Sequence, residues 1–147
     1  MSSVVEDVAN KLADMPGQAL PIYPMQFPDK DANGTPIVNC IALFPTGGGV
    51  GGNIGSKPSQ MTSSAGGIDY MDYPGCQVQV RYTDPFNAYK VAEDIRQWLD
   101  ENLPTGYLRC DTNRSLPDDL TNSQDLAMIG GPCYRFSVDF SLIKIRA

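Results

Sequence analysis

The sequence predicts a single α+β domain over residues 1–147: an antiparallel or mixed β-sheet with two helices packed on one face, and a long glycine-rich flap. Three observations predict this class. The chain has 147 residues, the usual length of one domain, and 41% of them are apolar, which is enough for a core. Helical spacing and strand alternation both occur, and strands lie on both sides of one long helix. No internal repeat interrupts this order.

Two segments have the spacing of amphipathic helices. The first helix is predicted over residues 4–13, directly after Ser3, and Pro16-Gly17 ends it. The acidic residues in its first turn suit the positive end of the helix dipole. The second begins with Asp84 as its cap and Pro85 at its first position. Its predicted apolar stripe consists of Phe86, Tyr89, Ala92, Ile95, Leu99 and Leu103, with Trp98 beside it.

The strands are predicted from apolar runs and from alternation. They cover residues 20–27, 37–44, 76–82, 107–111, 125–129 and 134–142. Prolines limit the first to a short piece at an edge of the sheet, and Pro45 is expected to end the second. In the third, apolar side chains alternate with Gln77, Gln79 and Arg81. The last alternates as far as Leu142-Ile143, where a bulge is predicted.

Residues 46–73 are predicted to form a flexible loop that contains eight glycines. A loop of this length in a compact domain is usually functional or disordered. Gly47, Gly49 and Gly52 formally match the spacing of a dinucleotide-binding fingerprint. However, residues 53–58 cannot open the helix that this fingerprint requires, so nucleotide binding is not expected.

Composition and charge exclude several classes of function. A formal charge of -6 argues against a protein that grips nucleic-acid phosphates. The chain has no histidine, which removes Ser-His-Asp and Cys-His catalysis and zinc sites that contain histidine. The four cysteines form no C-x-x-C pair, and reduced, buried thiols in the cytosol are expected. We expect no metal, no cofactor and no membrane segment.

Residues 73–81 and the helix that follows resemble a family of tailed-bacteriophage proteins. Tyr-Pro-Gly-Cys-Gln-Val-Gln-Val-Arg, then Ala-Tyr-Lys-Val-Ala-Glu-Asp-Ile and Leu99, is similar to the P-G-x-Q-V-x-V-R strand and A-Y-x-x-A-x-x-I-x-x-x-L helix of minor capsid and tail-terminator proteins. The match covers about 28 residues. The first helix, an extended piece at Ile22-Tyr23 and a closing strand over 134–145 also follow the family arrangement, although the glycine-rich loop is longer than in that pattern.

The resemblance implies a structural virion protein with no active site to transfer. It implies a homo-oligomeric ring, a hexamer, that caps the tail tube, halts its polymerisation and joins it to the head. The implied partners are the tail-tube protein, the head-side connector or stopper protein, and the sheath or terminal ring of the tail. The implied location is the tail or neck of the virion, after synthesis in the host cytoplasm. An acidic ring also suits a conduit through which DNA passes without specific binding.

A candidate assembly interface combines the flexible loop with the polar face of two strands. Its members are Gly47, Gly49, Gly52, Asn53, Lys57, Met61, Tyr70, Gln77, Gln79, Arg81, Arg135 and Asp139. We expect the loop to be mobile in the free protein and ordered in the assembly, because glycine permits unusual backbone angles.

Three alternatives remain open at this point. The protein could be another neck or minor capsid component, or a binding module that reuses the same fold. The third is a small enzyme without histidine, in which Cys76 or Cys110 is the nucleophile or Asp118, Asp119 and Asp125 act as acids. A cysteine nucleophile would lack its usual base, and adjacent carboxylates on an extended chain point apart.

Overall fold

Three helices and a seven-stranded sheet make up the computed structural model of the protein, which describes residues 3–46, 71–112, 116–128 and 130–145. The helices are α1 (Val4–Ala13), α2 (Pro85–Glu101) and the short α3 (Ser123–Leu126). The strands are β1 (Ile22–Pro24), β2 (Cys40–Thr46), β3 (Met71–Asp72), β4 (Gly75–Tyr82), β5 (Tyr107–Thr112), β6 (Asp118–Asp119) and β7 (Tyr134–Ile145). The predicted α+β class is confirmed.

Strand β7 is the centre of a mixed sheet. Strand β4 and then β3 pair with one of its edges, while β5 and β6 pair with the other, all antiparallel. Strand β2 pairs antiparallel with β4, and β1 completes the sheet as a parallel edge strand beside β2. The order therefore runs from β1 through β2 and β4 to β7, and the outer edges belong to β1 on one side and to β5 and β6 on the other.

Helices α1 and α2 cover one face of this sheet and enclose the core. The buried core side chains from the helices are Val5, Val8, Leu12, Ala92, Ile95 and Leu99, and those from the sheet include Ile41, Leu43, Val78, Val80, Val138, Phe140 and Leu142. Alternation explains the sheet contribution, because successive residues of a strand point to opposite faces. Both helix starts are capped: Ser3 accepts a hydrogen bond from the Glu6 amide, and Asp84, the predicted cap, accepts one from the Phe86 amide.

The predicted apolar stripe of α2 is partly wrong. Its buried residues are Ala88, Ala92, Ile95 and Leu99, whereas Phe86 is 83% exposed. Residues 86 and 88 are about 200° apart around a helix, so a stripe that passes through Ala88 leaves Phe86 on the opposite side. Leu103 lies beyond the end of the helix and is also exposed.

Three further details of the strands differ from the prediction. Residues 125–128 do not form the predicted strand, because Asn122 caps the short helix α3 instead; the last residue of that prediction, 129, lies outside the described residues. The bulge lies in β5, between Tyr107 and Arg109, rather than in β7. Strand β2 continues past Pro45. The missing amide hydrogen of this proline is tolerated because β1 has already ended at this point of the sheet.

The predicted loop over residues 46–73 is shorter than expected at both ends. Thr46 is the last residue of β2 and pairs with Gly75. Met71 and Asp72 form β3, which pairs with the end of β7. Residues 47–70 of the predicted loop lie outside the described residues.

Candidate functional site

The face of the sheet that points away from α1 and α2 carries polar side chains from β4 and β7. Gln77 and Asp139 are directly opposite each other in this ladder, and Gln77 Nε2 donates a hydrogen bond to Asp139 Oδ1 at 2.9 Å. Gln79 Nε2 in turn donates to Gln77 Oε1 at 2.6 Å. All three side chains are partly exposed. We call this connected row of Gln77, Gln79 and Asp139 the polar strip.

Arg81 follows the polar strip on the same face, but it is only 1% exposed. The prediction that its side chain is available to a neighbouring subunit is therefore wrong. Its Nη2 group donates hydrogen bonds to the carbonyl oxygens of Pro28 and Ile37, both at 2.6 Å, and its guanidinium lies 4.7 Å from the centre of the Phe27 ring. The segment between β1 and β2 thus folds over this end of the sheet and covers the arginine.

Arg135 is the direct cross-strand partner of Arg81 and is only partly covered. Its Nη2 group donates to Asp125 Oδ1 at 2.6 Å, and its guanidinium also lies 4.6 Å from the Phe27 ring centre. Its Nη1 group donates to Gln79 Oε1 at 3.4 Å, which joins the arginine pair to the polar strip. Two cations directly opposite each other repel, so this pair depends on the acceptors around it.

Asp125 has a structural role in this arrangement. It is 2% exposed and accepts hydrogen bonds from the Asn122 amide as well as from Arg135. The Asn122 side chain accepts from the Asp125 amide in return, which closes the cap of α3. The carboxylate is therefore engaged on both sides and does not face an acid partner, contrary to the role considered for it in an enzyme.

A cavity of about 540 Å³ opens beside the two arginines. It is lined by residues of the 29–36 segment, by residues 124–128 and by Arg81 and Arg135 of the sheet. The charged side chains of the lining are those of Asp29, Asp125, Lys30, Arg81 and Arg135. Their formal charges sum to one net positive charge.

The four cysteines are all buried and free, which agrees with the expectation of reduced thiols. Burial raises the pKa of Cys40 to about 11 and the pKa of Cys76 and Cys110 to about 12. Thiols with a raised pKa remain protonated at neutral pH and are weak nucleophiles. This geometry offers no support for the hypothesis of a cysteine enzyme.

The remaining acids considered for catalysis are the two residues of the short strand β6. Asp118 and Asp119 form β6, opposite Ser137 and Phe136 of β7. Asp119 is exposed and accepts a hydrogen bond from the Thr121 amide. In the part of the chain that the structure describes, no group of three or more Cys, Asp or Glu side chains is placed to hold a metal ion. No helix among those residues is long and apolar enough to cross a membrane.

The structure thus brings together five of the candidate interface residues on one face of β4 and β7. The other seven, Gly47, Gly49, Gly52, Asn53, Lys57, Met61 and Tyr70, lie outside the described residues. Sequence reasoning missed the walls of the cavity, among them Lys30 and Gln124, because no local pattern marks residues that meet only through folding. No protein-family model matches the chain, and no curated protein matches it either.

Proposed function

We propose that this protein is a structural component of a tailed-phage virion, a tail terminator that assembles into a ring on the tail tube and joins it to the head-side connector. The observation that carries the proposal is the resemblance of residues 73–99 to tail-terminator proteins. Residues within this stretch form β4 and α2, a central strand of the sheet and the long helix that packs on it. No reaction is part of this role.

The two faces of β4 differ, and this difference supports a role in subunit contacts for its polar face. The apolar residues Cys76, Val78 and Val80 fill the core, so they account for the folding of the strand. Gln77 and Gln79 are not part of that core, yet they are held in place by hydrogen bonds to each other and to Asp139. A preorganised polar row loses little side-chain entropy when it binds a partner.

The edges of the sheet also suit assembly into a ring. A ring needs a heterologous contact, in which two different surfaces of the same chain meet. Among the described residues, β1 borders one side of the sheet and β5 borders the other, and each has a single neighbouring strand. Such edges present unpaired backbone groups that can pair with a segment of the next subunit.

The native mass of the purified protein tests this proposal. We expect a concentration series to show a closed species of six subunits, visible as rings by negative-stain microscopy. The variant Gln79→Arg should weaken assembly, because it places a bulky cation in the polar strip. The matched control is Gln97→Arg on the exposed face of α2, which should assemble like the original chain.

The tail tube provides the second readout. Rings or monomers of a terminator should co-sediment with purified tail tubes of the cognate phage. Binding to the head-side connector without binding to tubes would instead identify another component of the neck. A chain that is monomeric at every concentration and binds neither structure would contradict the proposal.

A further inference from the structure

The exposed side of helix α2 carries an apolar side chain next to a cation. Phe86 is 83% exposed, the highest value among the large apolar side chains that the structure describes. Lys90 follows one turn later and is also exposed. Residues four positions apart in a helix lie on the same side, so the two side chains are neighbours. Among the described residues, Lys90 has no ion-pair partner.

A complementary row of side chains lies on the opposite face of the sheet, across three neighbouring strands. Phe44 of β2 is the direct partner of Gln77 of β4, and Gln77 is the direct partner of Asp139 of β7. Directly opposite residues of antiparallel strands share a face, so the three side chains stand side by side. All three are partly exposed. We call Phe44, Gln77 and Asp139 the cross-strand row.

The carboxylate of Asp139 is not balanced by a cation of its own chain. Its recorded hydrogen-bond donor is the neutral amide of Gln77. Every hydrogen bond of the polar strip donates in the direction of Asp139, so the strip ends in an acceptor. The cation at the other end, Arg135, is paired with Asp125. Within the part of the chain that the structure describes, no cation lies at ion-pair distance from Asp139, which leaves it able to bind one from outside.

The spacing of the two surfaces is compatible. Phe86 and Lys90 are separated by four residues of helix, which advance about 6 Å along the axis. Phe44 and Asp139 are separated by two strand spacings, about 10 Å. A lysine side chain is long and flexible, so its ammonium group can cover the remaining distance.

We propose that Phe86 and Lys90 of one copy bind the cross-strand row of the next copy, with the Phe86 ring against Phe44 and the Lys90 ammonium on the Asp139 carboxylate. The opposite charges favour this partner, and the same contact removes Phe86 from water. The two surfaces differ and lie on opposite sides of the chain, so the contact is heterologous, as a ring requires. This inference rests on the proposed ring and names the surfaces that join its subunits.

Exchange of the two charges tests the contact. Lys90→Glu and Asp139→Lys each place like charges opposite each other, so each should raise the concentration needed for assembly at least about tenfold. An equal mixture of the two variants restores opposite charges at every contact of an alternating ring, and the double variant restores them within one chain. Both should assemble again, as measured by native mass and negative-stain microscopy. The matched control Lys30→Glu changes an exposed lysine of the segment between β1 and β2 and should assemble like the original chain.

Two milder variants separate the contact from folding. Asp139→Asn keeps an oxygen that accepts from Gln77 and removes only the charge, so it should weaken each contact about two- to fivefold. Phe86→Ala should weaken assembly about tenfold or more, because a buried aromatic side chain is a typical anchor of an interface. Its urea midpoint, measured on the monomer, should stay unchanged, because Phe86 is exposed in the free chain.

Rings formed by either charge reversal at the concentration that suffices for the original chain would overturn this contact. So would the absence of recovery in both the mixture and the double variant. Either result, obtained with rings that still bind tail tubes, leaves the terminator role intact. Rings that depend on both charges but bind neither tail tubes nor the connector would support the contact and contradict the terminator role. A chain that forms no ring in solution or on tail tubes would contradict both.

Discussion

Substitution of Arg81 by methionine tests whether the buried guanidinium holds the segment between β1 and β2 onto the sheet. Methionine keeps the length of the side chain and removes the donors. The two carbonyl oxygens that now accept from Arg81, those of Pro28 and Ile37, would lose a donor at 2.6 Å each. The matched control is Arg109→Met on β5, where the arginine side chain is 66% exposed.

The contacts of Arg81 determine how large a loss of stability is expected. A hydrogen bond to a charged group contributes about 1.5–3 kcal/mol, so the two bonds together amount to about 3 kcal/mol at the lower end of that range. The contact with the Phe27 ring adds about 0.5–1 kcal/mol. Removal of a buried cation recovers part of its desolvation cost, which offsets the contact with the ring. We therefore expect Arg81→Met to lower the free energy of unfolding by about 3 kcal/mol.

Urea denaturation followed by the fluorescence of Trp98, the one tryptophan, measures this change. Arg109→Met should alter stability by less than about 0.5 kcal/mol, because exposed ion pairs contribute little. Hydrogen exchange should also become faster in residues 25–39 of Arg81→Met alone. A loss below about 1 kcal/mol, or equal losses in the two variants, would refute the anchoring role of Arg81.

Three further predictions follow from burial and packing. Because the pKa of Cys76 is raised in the folded state, that state binds the thiol proton more tightly, so stability should be full below the ordinary thiol pKa of 9.0 and fall as the pH rises above it. Urea midpoints measured from pH 7 to 11 will show this fall, and Cys76→Ala should reduce the slope of the midpoint against pH. Gly130→Ala would place a Cβ atom 2.5 Å from Val38 Cγ1 and should cost about 1–3 kcal/mol by thermal unfolding, with recovery in the double variant with Val38→Ala; no recovery would contradict the clash. Leu99→Ala should cost about 2–5 kcal/mol by urea denaturation, whereas Phe86→Ala, on the exposed side of the same helix, should change stability little; similar losses would show that the burial pattern of α2 is wrong.

The outcome for the cysteines bears on the enzyme hypothesis directly. A reactive thiol requires a lowered pKa and access to solvent. The structure places all four cysteines in buried positions, and burial raises the pKa of each. Alkylation by iodoacetamide at pH 8 should therefore be much slower in the native protein than in urea. A single thiol that reacts at the unfolded rate in the native protein would revive the hypothesis.

Local patterns were sufficient to predict most of the elements. The alternation in β4 and β7 places Val78 and Val138 in the core, because strand periodicity assigns every second residue to one face. The caps Ser3 and Asp84 are also local features, because a cap accepts hydrogen bonds from amides only two or three residues away. The stripe of α2 was predicted correctly at Ala92, Ile95 and Leu99 but wrongly at its start, because Phe86 is apolar and well spaced but faces solvent.

The sequence by itself determined the class of fold, the absence of histidine chemistry, and the resemblance on which the proposed function rests. The tertiary structure decided which polar residues are exposed. Arg81 looks like any outward-facing strand residue, yet it is covered by carbonyl groups 53 and 44 positions away in the chain. Contacts between residues so far apart in the chain do not affect the local pattern of apolar and polar residues. The cavity has the same origin, because its lining comes from segments between residues 29 and 135 that meet only when the sheet has formed.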